Sequence, residues 1–164
     1  MKSVLMSINS VHNANIESGL KLSELRTRPP KLNPPFKVYT YESGALGRHK
    51  VVNGWICNDM ETWRICMGMP AHLSKNACVS DEFIWKYTNF GYKDITEMKI
   101  SNLVIYDKPK ELSEFYSICE KRNCHLCDWE REYDSCGCNR KKPITRPPQS
   151  WCYVDHPTEK GGVE

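Results

Sequence analysis

Four cysteines stand close together near the C-terminal end, as Cys124-x-x-Cys127 and Cys136-x-Cys138. The first pair has the spacing at which two thiolates from one tight turn reach a single Zn²⁺. The second, around Gly137, is a turn able to offer one or both of its thiolates. Cys119 and Cys152 are alternates, as are His125 and His156. Four soft ligands suit tetrahedral zinc, and a closed set of four leaves no open position for catalysis, so the metal expected here is structural. The surrounding segment has few apolar residues, and a bound zinc supplies on the order of 10 kcal/mol towards ordering such a peptide. Free thiols in a loosely packed tail are the main alternative. A redox pair fits less well, because neither pair opens a helix beside a thioredoxin-like βαβ unit. Cys57, Cys66 and Cys78 match no ligand spacing and read as buried residues.

A second group lies near the N-terminal end. Lys21-x-x-Glu24-x-Arg26 sets two cations around one carboxylate, and Arg28 and Lys31 extend the positive character into the following loop. A guanidinium grips a phosphate with two hydrogen bonds, or pairs with a carboxylate to fix a geometry. A lysine beside a desolvated carboxylate can exchange protons near neutral pH, which makes Lys21 and Glu24 the acid–base pair of any hydrolytic reading. Tyr39 and Tyr41, on one face of the next strand, offer surfaces on which an unpaired base stacks. The same residues also fit solvated strand ends, a simple ion pair and ordinary sheet tyrosines. The basic run Asn139–Lys142 fits phosphate contacts or a solvated loop. No His/Asp/Glu set resembles a catalytic metal site.

The elements that must position these groups are short. "VLMSI" (Val4 to Ile8) is an apolar run suited to a buried strand, and "SVHNANIESGL" follows at helical spacing, with Ser10 as N-cap and Gly19 as the left-handed stop. "KLSELRT" alternates imperfectly as a strand. Prolines at 29, 30, 34 and 35 deny "RPPKLNPP" both helix and ladder. "FKVYTYES", "KVVNGWICN", "MKISNLVIY" and "SWCYV" read as strands, with "DKPKELSEFY" as a loop. "SDEFIWKYT" opens on Ser80 and an acidic turn and sets Phe83, Ile84 and Tyr87 on one helical face. Trp63, Trp85 and Trp129 are assigned to packing. About five strands with two inserted helices predict an α+β chain built as a small mixed β-barrel.

The 164 residues carry a net charge of +3, which permits a nucleic-acid partner without demanding one. "MKSVLMSINSVHN" is too short and polar for a signal peptide, and no stretch is long and apolar enough to cross a bilayer. A cytoplasmic location is expected. Disulfides are rare there, and nine cysteines cannot all pair within one chain.

The stretch "LMSINSVHNANIESGLKLSELRTRPPKLNPPFKVYTYES" resembles the ASCH domains, a branch of the PUA-like β-barrels. The features that carry the likeness are Ser7-Ile8, the helix ending at Gly19, and Gly19-x-Lys21-x-x-Glu24-x-Arg26. "ISNLVIYDKPKELSEFY" and "RPPQSWCYV" are similar to a phage- and prophage-encoded subgroup that carries a cysteine-rich insert. The resemblance implies an ASCH barrel over 1–117, a zinc-binding insert over 118–142, and a final strand with tail over 143–164. It implies a cleft holding Lys21, Glu24 and Arg26, and RNA or a modified nucleoside as ligand. Some relatives hydrolyse acetylcytidine with a lysine, a threonine and a distant glutamate, and others are linked to RNA cleavage. Here Glu24 stands in the threonine's place, and Gly54, or its neighbours Asn53 and Trp55, in that of the distant acid, so the amidohydrolase pattern is incomplete. The expected function is RNA or nucleotide binding. The alternatives are an RNA or nucleoside hydrolase using Lys21 and Glu24, and a phage protein that binds a host regulatory or defence factor in the host cytoplasm.

Overall fold

The apolar run at residues 4–8 becomes a strand covered on both sides. In the computed structural model, which describes residues 3–117 and 143–155, β1 (Ser3–Asn9) pairs in parallel with β3 (Phe36–Ser43), Leu5 opposite Tyr39. Val4, Met6 and Ile8 enter one apolar cluster with Phe36, Val38 and Trp55. Leu5 enters another, with Tyr39, Tyr41 and Phe115. A parallel pair with both faces buried reads as a continuous apolar run, which is why "VLMSI" does not alternate.

The remaining strands pair antiparallel around this centre. They are β2 (Ser23–Arg26), β4 (Val51–Trp63), β5 (Ile95–Lys110), β6 (Tyr116–Ser117) and β7 (Trp151–Asp155). One mixed seven-stranded sheet results, in the order β2-β5-β4-β3-β1-β7-β6. Among the described residues three short helices join it: α1 (Ser10–Glu17), α2 (Ala71–Ala77) and α3 (Asp81–Tyr87). The α+β expectation holds, with α2 and β6 as additions. β5 also runs on through Asp107–Lys110, where a loop was expected. It stays paired with β4 as far as Val51 opposite Lys110, and Pro109 falls at its last turn of pleat.

Local signals decide the helix ends. Asn9, not Ser10, caps α1, its side chain accepting from the Val11 amide at 3.1 Å. Gly19 turns the chain at φ +74°, in the region that residues with a Cβ avoid, so that the Lys21 amide donates to the Asn15 carbonyl at 2.8 Å. Ser80 caps α3 as expected, accepting from the Phe83 amide at 3.0 Å.

A third cluster seats α2 and α3 against β2 and β5 through Leu25, Leu73, Ala77, Ile84 and Ile95. Trp63 packs beside it, whereas Trp85 is 41% exposed and Trp129 lies outside the described residues. Of the three cysteines expected inside, only Cys57 is fully buried, and burial pushes its thiol up to about 12. Cys66 is exposed in the 3₁₀ turn Ile65–Met67, whose inward residue is Ile65, and Cys78 sits half-buried at the left-handed end of α2. No helix among the described residues is long and apolar enough to cross a membrane.

Candidate functional site

β2 reverses the usual polarity rule. Leu22, just before it, is 54% exposed, while Lys21 and Glu24 are buried. The cause is register. Leu25, opposite Glu97 on β5, faces the α2–α3 cluster, so Glu24 and Arg26 point to the other side of the sheet. There they meet β1, α1 and α3 around a cleft of about 260 Å³.

The trio converges as the spacing suggested. Lys21 Nζ lies 3.3 Å from Glu24 Oε2, and Arg26 Nη2 lies 2.9 Å from Glu24 Oε1. The three side chains are only 3%, 9% and 12% exposed, in the order Lys21, Glu24, Arg26. Most of their hydrogen-bonding capacity is used inside the protein. Lys21 Nζ donates to the Ala77 carbonyl at the end of α2, 2.7 Å away. Arg26 Nη2 donates to the Ser7 carbonyl at 2.9 Å, and Nη1 to Ser150 Oγ at 3.1 Å. The trio therefore clamps β1, β2, α2 and the approach to β7 together, while two cations and one carboxylate leave the cleft with a formal charge of +1.

Two groups to which the sequence assigned no binding role complete the cleft. His12 enters from α1, and Phe83 and Tyr87 from α3. Phe83 and Tyr87 stack on each other, with centroids 5.6 Å apart and planes 19° apart, and Phe83 lies 6.2 Å from the His12 ring. Burial lowers the His12 pKa, the neighbouring Lys21 and Arg26 lower it further, and Glu24 opposes them. His12 Nδ1 and Arg26 Nε are both buried without a hydrogen-bond partner. The available signal was on α3: of the apolar residues at 83, 84 and 87, Ile84 alone is needed for the core, leaving an aromatic pair at i and i+4. Nothing comparable marked His12.

The other expected ligand contacts are elsewhere. Tyr39 and Tyr41 are 1% and 5% exposed, inside the second apolar cluster, with the Tyr39 ring edge-on to Phe115 at 4.9 Å. Their strand is central and covered on both sides, so its outward face is core and not a rim. This corrects their assignment as stacking residues. Arg28 and Lys31 are exposed and do not line the cleft; the Arg28 carbonyl accepts from Trp151 Nε1 at 2.7 Å.

Positions 53–55 lie away from the cleft as well. Asn53 Nδ2 donates to Asn13 Oδ1 at 2.8 Å, and Trp55 Nε1 donates to Thr40 Oγ1 at 3.2 Å. A Cβ at Gly54 would stand 2.6 Å from the Tyr106 hydroxyl and 3.3 Å from the Val38 carbonyl, so a larger side chain there would have to displace the Tyr106 ring.

Cys119, Cys124, Cys127, Cys136, Cys138, His125, His156 and the run 139–142 lie outside the described residues. Cys152 is described. It stands opposite Leu5 in β7 and packs against the second cluster, in regular sheet instead of a ligand turn. Among the described residues, no group of three or more His, Cys, Asp or Glu is placed to hold a metal ion.

No protein-family model matches the sequence, and no curated protein matches it. Solved structures do. An ASCH protein from Zymomonas mobilis superposes with a TM-score of 0.64 at 16% identity, over 94% of this chain and 88% of that one. A serine-to-alanine variant of it gives 0.64 at 14%, over 94% and 89%. A tyrosine-to-phenylalanine variant gives 0.59 at 16%, over 68% and 77%. At such identities the likeness carries the fold alone: the mixed sheet described above is similar to that of the Zymomonas mobilis ASCH protein.

Proposed function

We propose that this ASCH-fold protein binds RNA or a nucleotide in the cleft between β1, β2, α1 and α3. The observation that carries the reading is the convergence of Lys21, Glu24 and Arg26 in a concave site walled by Phe83 and Tyr87. The positive balance attracts phosphate, and the two α3 rings give a base a π-face. Fluorescence anisotropy with a labelled single-stranded oligoribonucleotide tests it. Binding is expected at low salt and should weaken as salt rises, by about 0.7 in the log–log slope for each phosphate neutralised. Folded protein that binds no RNA or nucleotide at low salt would end the proposal.

Hydrolysis of RNA or of a modified nucleoside is the second reading, favoured by the 3.3 Å approach of Lys21 to Glu24 in a desolvated site. Both Glu24 oxygens already face cations, and positions 53–55 bring no acid to the cleft, so the acetylcytidine reaction is the weakest form of this reading. Equal turnover, or none, from wild type and Glu24→Gln would remove it.

The structural zinc on Cys124, Cys127, Cys136 and Cys138 is proposed from their spacing. Metal analysis of the purified chain should return a stoichiometric zinc ion, released by a thiol-modifying mercurial. Chain purified without metal at unchanged stability would count against it.

A further inference from the structure

We infer that His12 contacts the bound ligand directly and takes up a proton when an anionic group enters beside it, so that ligand binding tightens on acidification. The inference rests on the nucleotide reading and adds to it a residue and a regulation.

Unpartnered buried polar atoms are rare in folded proteins, because each has lost its water without gaining a partner. Here two of them, His12 Nδ1 and Arg26 Nε, belong to residues that line the same cleft. Their neighbours leave them little to do within the protein. Both terminal nitrogens of Arg26 are engaged, with Glu24, Ser7 and Ser150, which leaves Nε as its one nitrogen without a partner. A ligand oxygen brought within hydrogen-bond reach of each atom would satisfy it. Arg26 Nε–H donates as it stands, and His12 Nδ1 donates once it carries a proton.

The charges around His12 decide when that happens. Lys21 faces it from the turn after α1, Glu24 and Arg26 from β2, and Tyr87, beside the apolar Phe83, from α3. Burial, Lys21 and Arg26 favour the neutral imidazole, against Glu24. An entering phosphate oxygen offsets the local positive charge and favours the imidazolium. The free-state pKa is lowered and the bound-state pKa is raised. Affinity should therefore rise as pH falls through the bound-state value, and level off below the free-state value.

Titration calorimetry tests this on the full chain. The probe is a single-stranded oligoribonucleotide without terminal phosphates, since its phosphodiesters do not titrate in the window used. Measurements run from about pH 8 to 5.5, in buffers of different ionisation enthalpy. Wild type should take up about half a proton at the midpoint of the transition, and its affinity should rise about tenfold across the window. His12→Gln should bind more weakly and with no proton uptake. His72→Gln, outside the cleft, should behave as wild type. A proton NMR titration of the wild-type imidazoles gives a second readout that needs no variant: the His12 resonance alone should titrate higher when RNA is added. Wild type that binds RNA with pH-independent affinity, or His12→Gln that keeps the uptake, overturns this inference and leaves the nucleotide reading standing. Wild type that binds at no pH overturns the nucleotide reading itself.

Discussion

Glu24→Gln is expected to destabilise the folded protein by about 3–5 kcal/mol, the loss typical of breaking a buried ion pair from one side. The magnitude follows from what would remain. Lys21 and Arg26 are 3% and 12% exposed, so neither can turn to water when its partner loses its charge. The Ala77 and Ser7 carbonyls and the Ser150 hydroxyl orient the two cations without neutralising them. Because those partners come from α2, β1 and the approach to β7, the loss should be felt across the sheet, as a lower urea midpoint at an unchanged m-value. Lys21→Met/Glu24→Gln supplies the control. It restores the wild-type charge balance of the cleft and should be less destabilised than Glu24→Gln, even though it lacks more polar contacts. A loss under about 1 kcal/mol for Glu24→Gln would mean that the trio behaves as an exposed surface pair.

The same trio marks where sequence reading ends. Elements fixed by neighbouring residues were legible. Gly19 stops α1, Ser80 starts α3, the prolines at 29–35 keep the loop open, and the run at 4–8 is a buried strand. Burial was harder to read, because it depends on residues far away in the chain. Lys21 is covered because the end of α2 reaches it, 56 positions on, and Arg26 because Ser150 does. Leu22 is left outside by the register of β2 on β5, which the imperfect alternation of "KLSELRT" did not specify. Tyr39 and Tyr41 show the converse. Their alternation with Val38 and Thr40 correctly gave a strand, but alternation does not say whether its second face meets water or another apolar cluster, and in β3 both faces are buried. The neighbours that cover it, Leu5, Phe115 and Val154, are scattered over the whole chain.

Truncating aromatics on the two faces should therefore have opposite consequences. Phe83→Ala and Tyr87→Ala each remove one ring from the cleft wall, and each is expected to weaken RNA or nucleotide binding by about 1–3 kcal/mol, the usual worth of a base stacked on an aromatic side chain. Stability should change little, because these rings are 42% and 37% exposed and Ile84 holds α3 in place. Tyr39→Ala should act on the other quantity. Its ring is 1% exposed against Phe115, and truncating a buried aromatic costs about 3–5 kcal/mol of folding stability. The surviving folded molecules should bind RNA with wild-type affinity. Anisotropy titrations corrected for the folded fraction, run beside urea unfolding on the same preparations, separate the two effects. If Tyr39→Ala lowered the corrected affinity as much as Phe83→Ala does, the base would have to stack at β3 and the α3 wall would be wrong. If none of the three changed it, stacking would have no part in recognition, and the charge around Glu24 would have to hold the ligand alone.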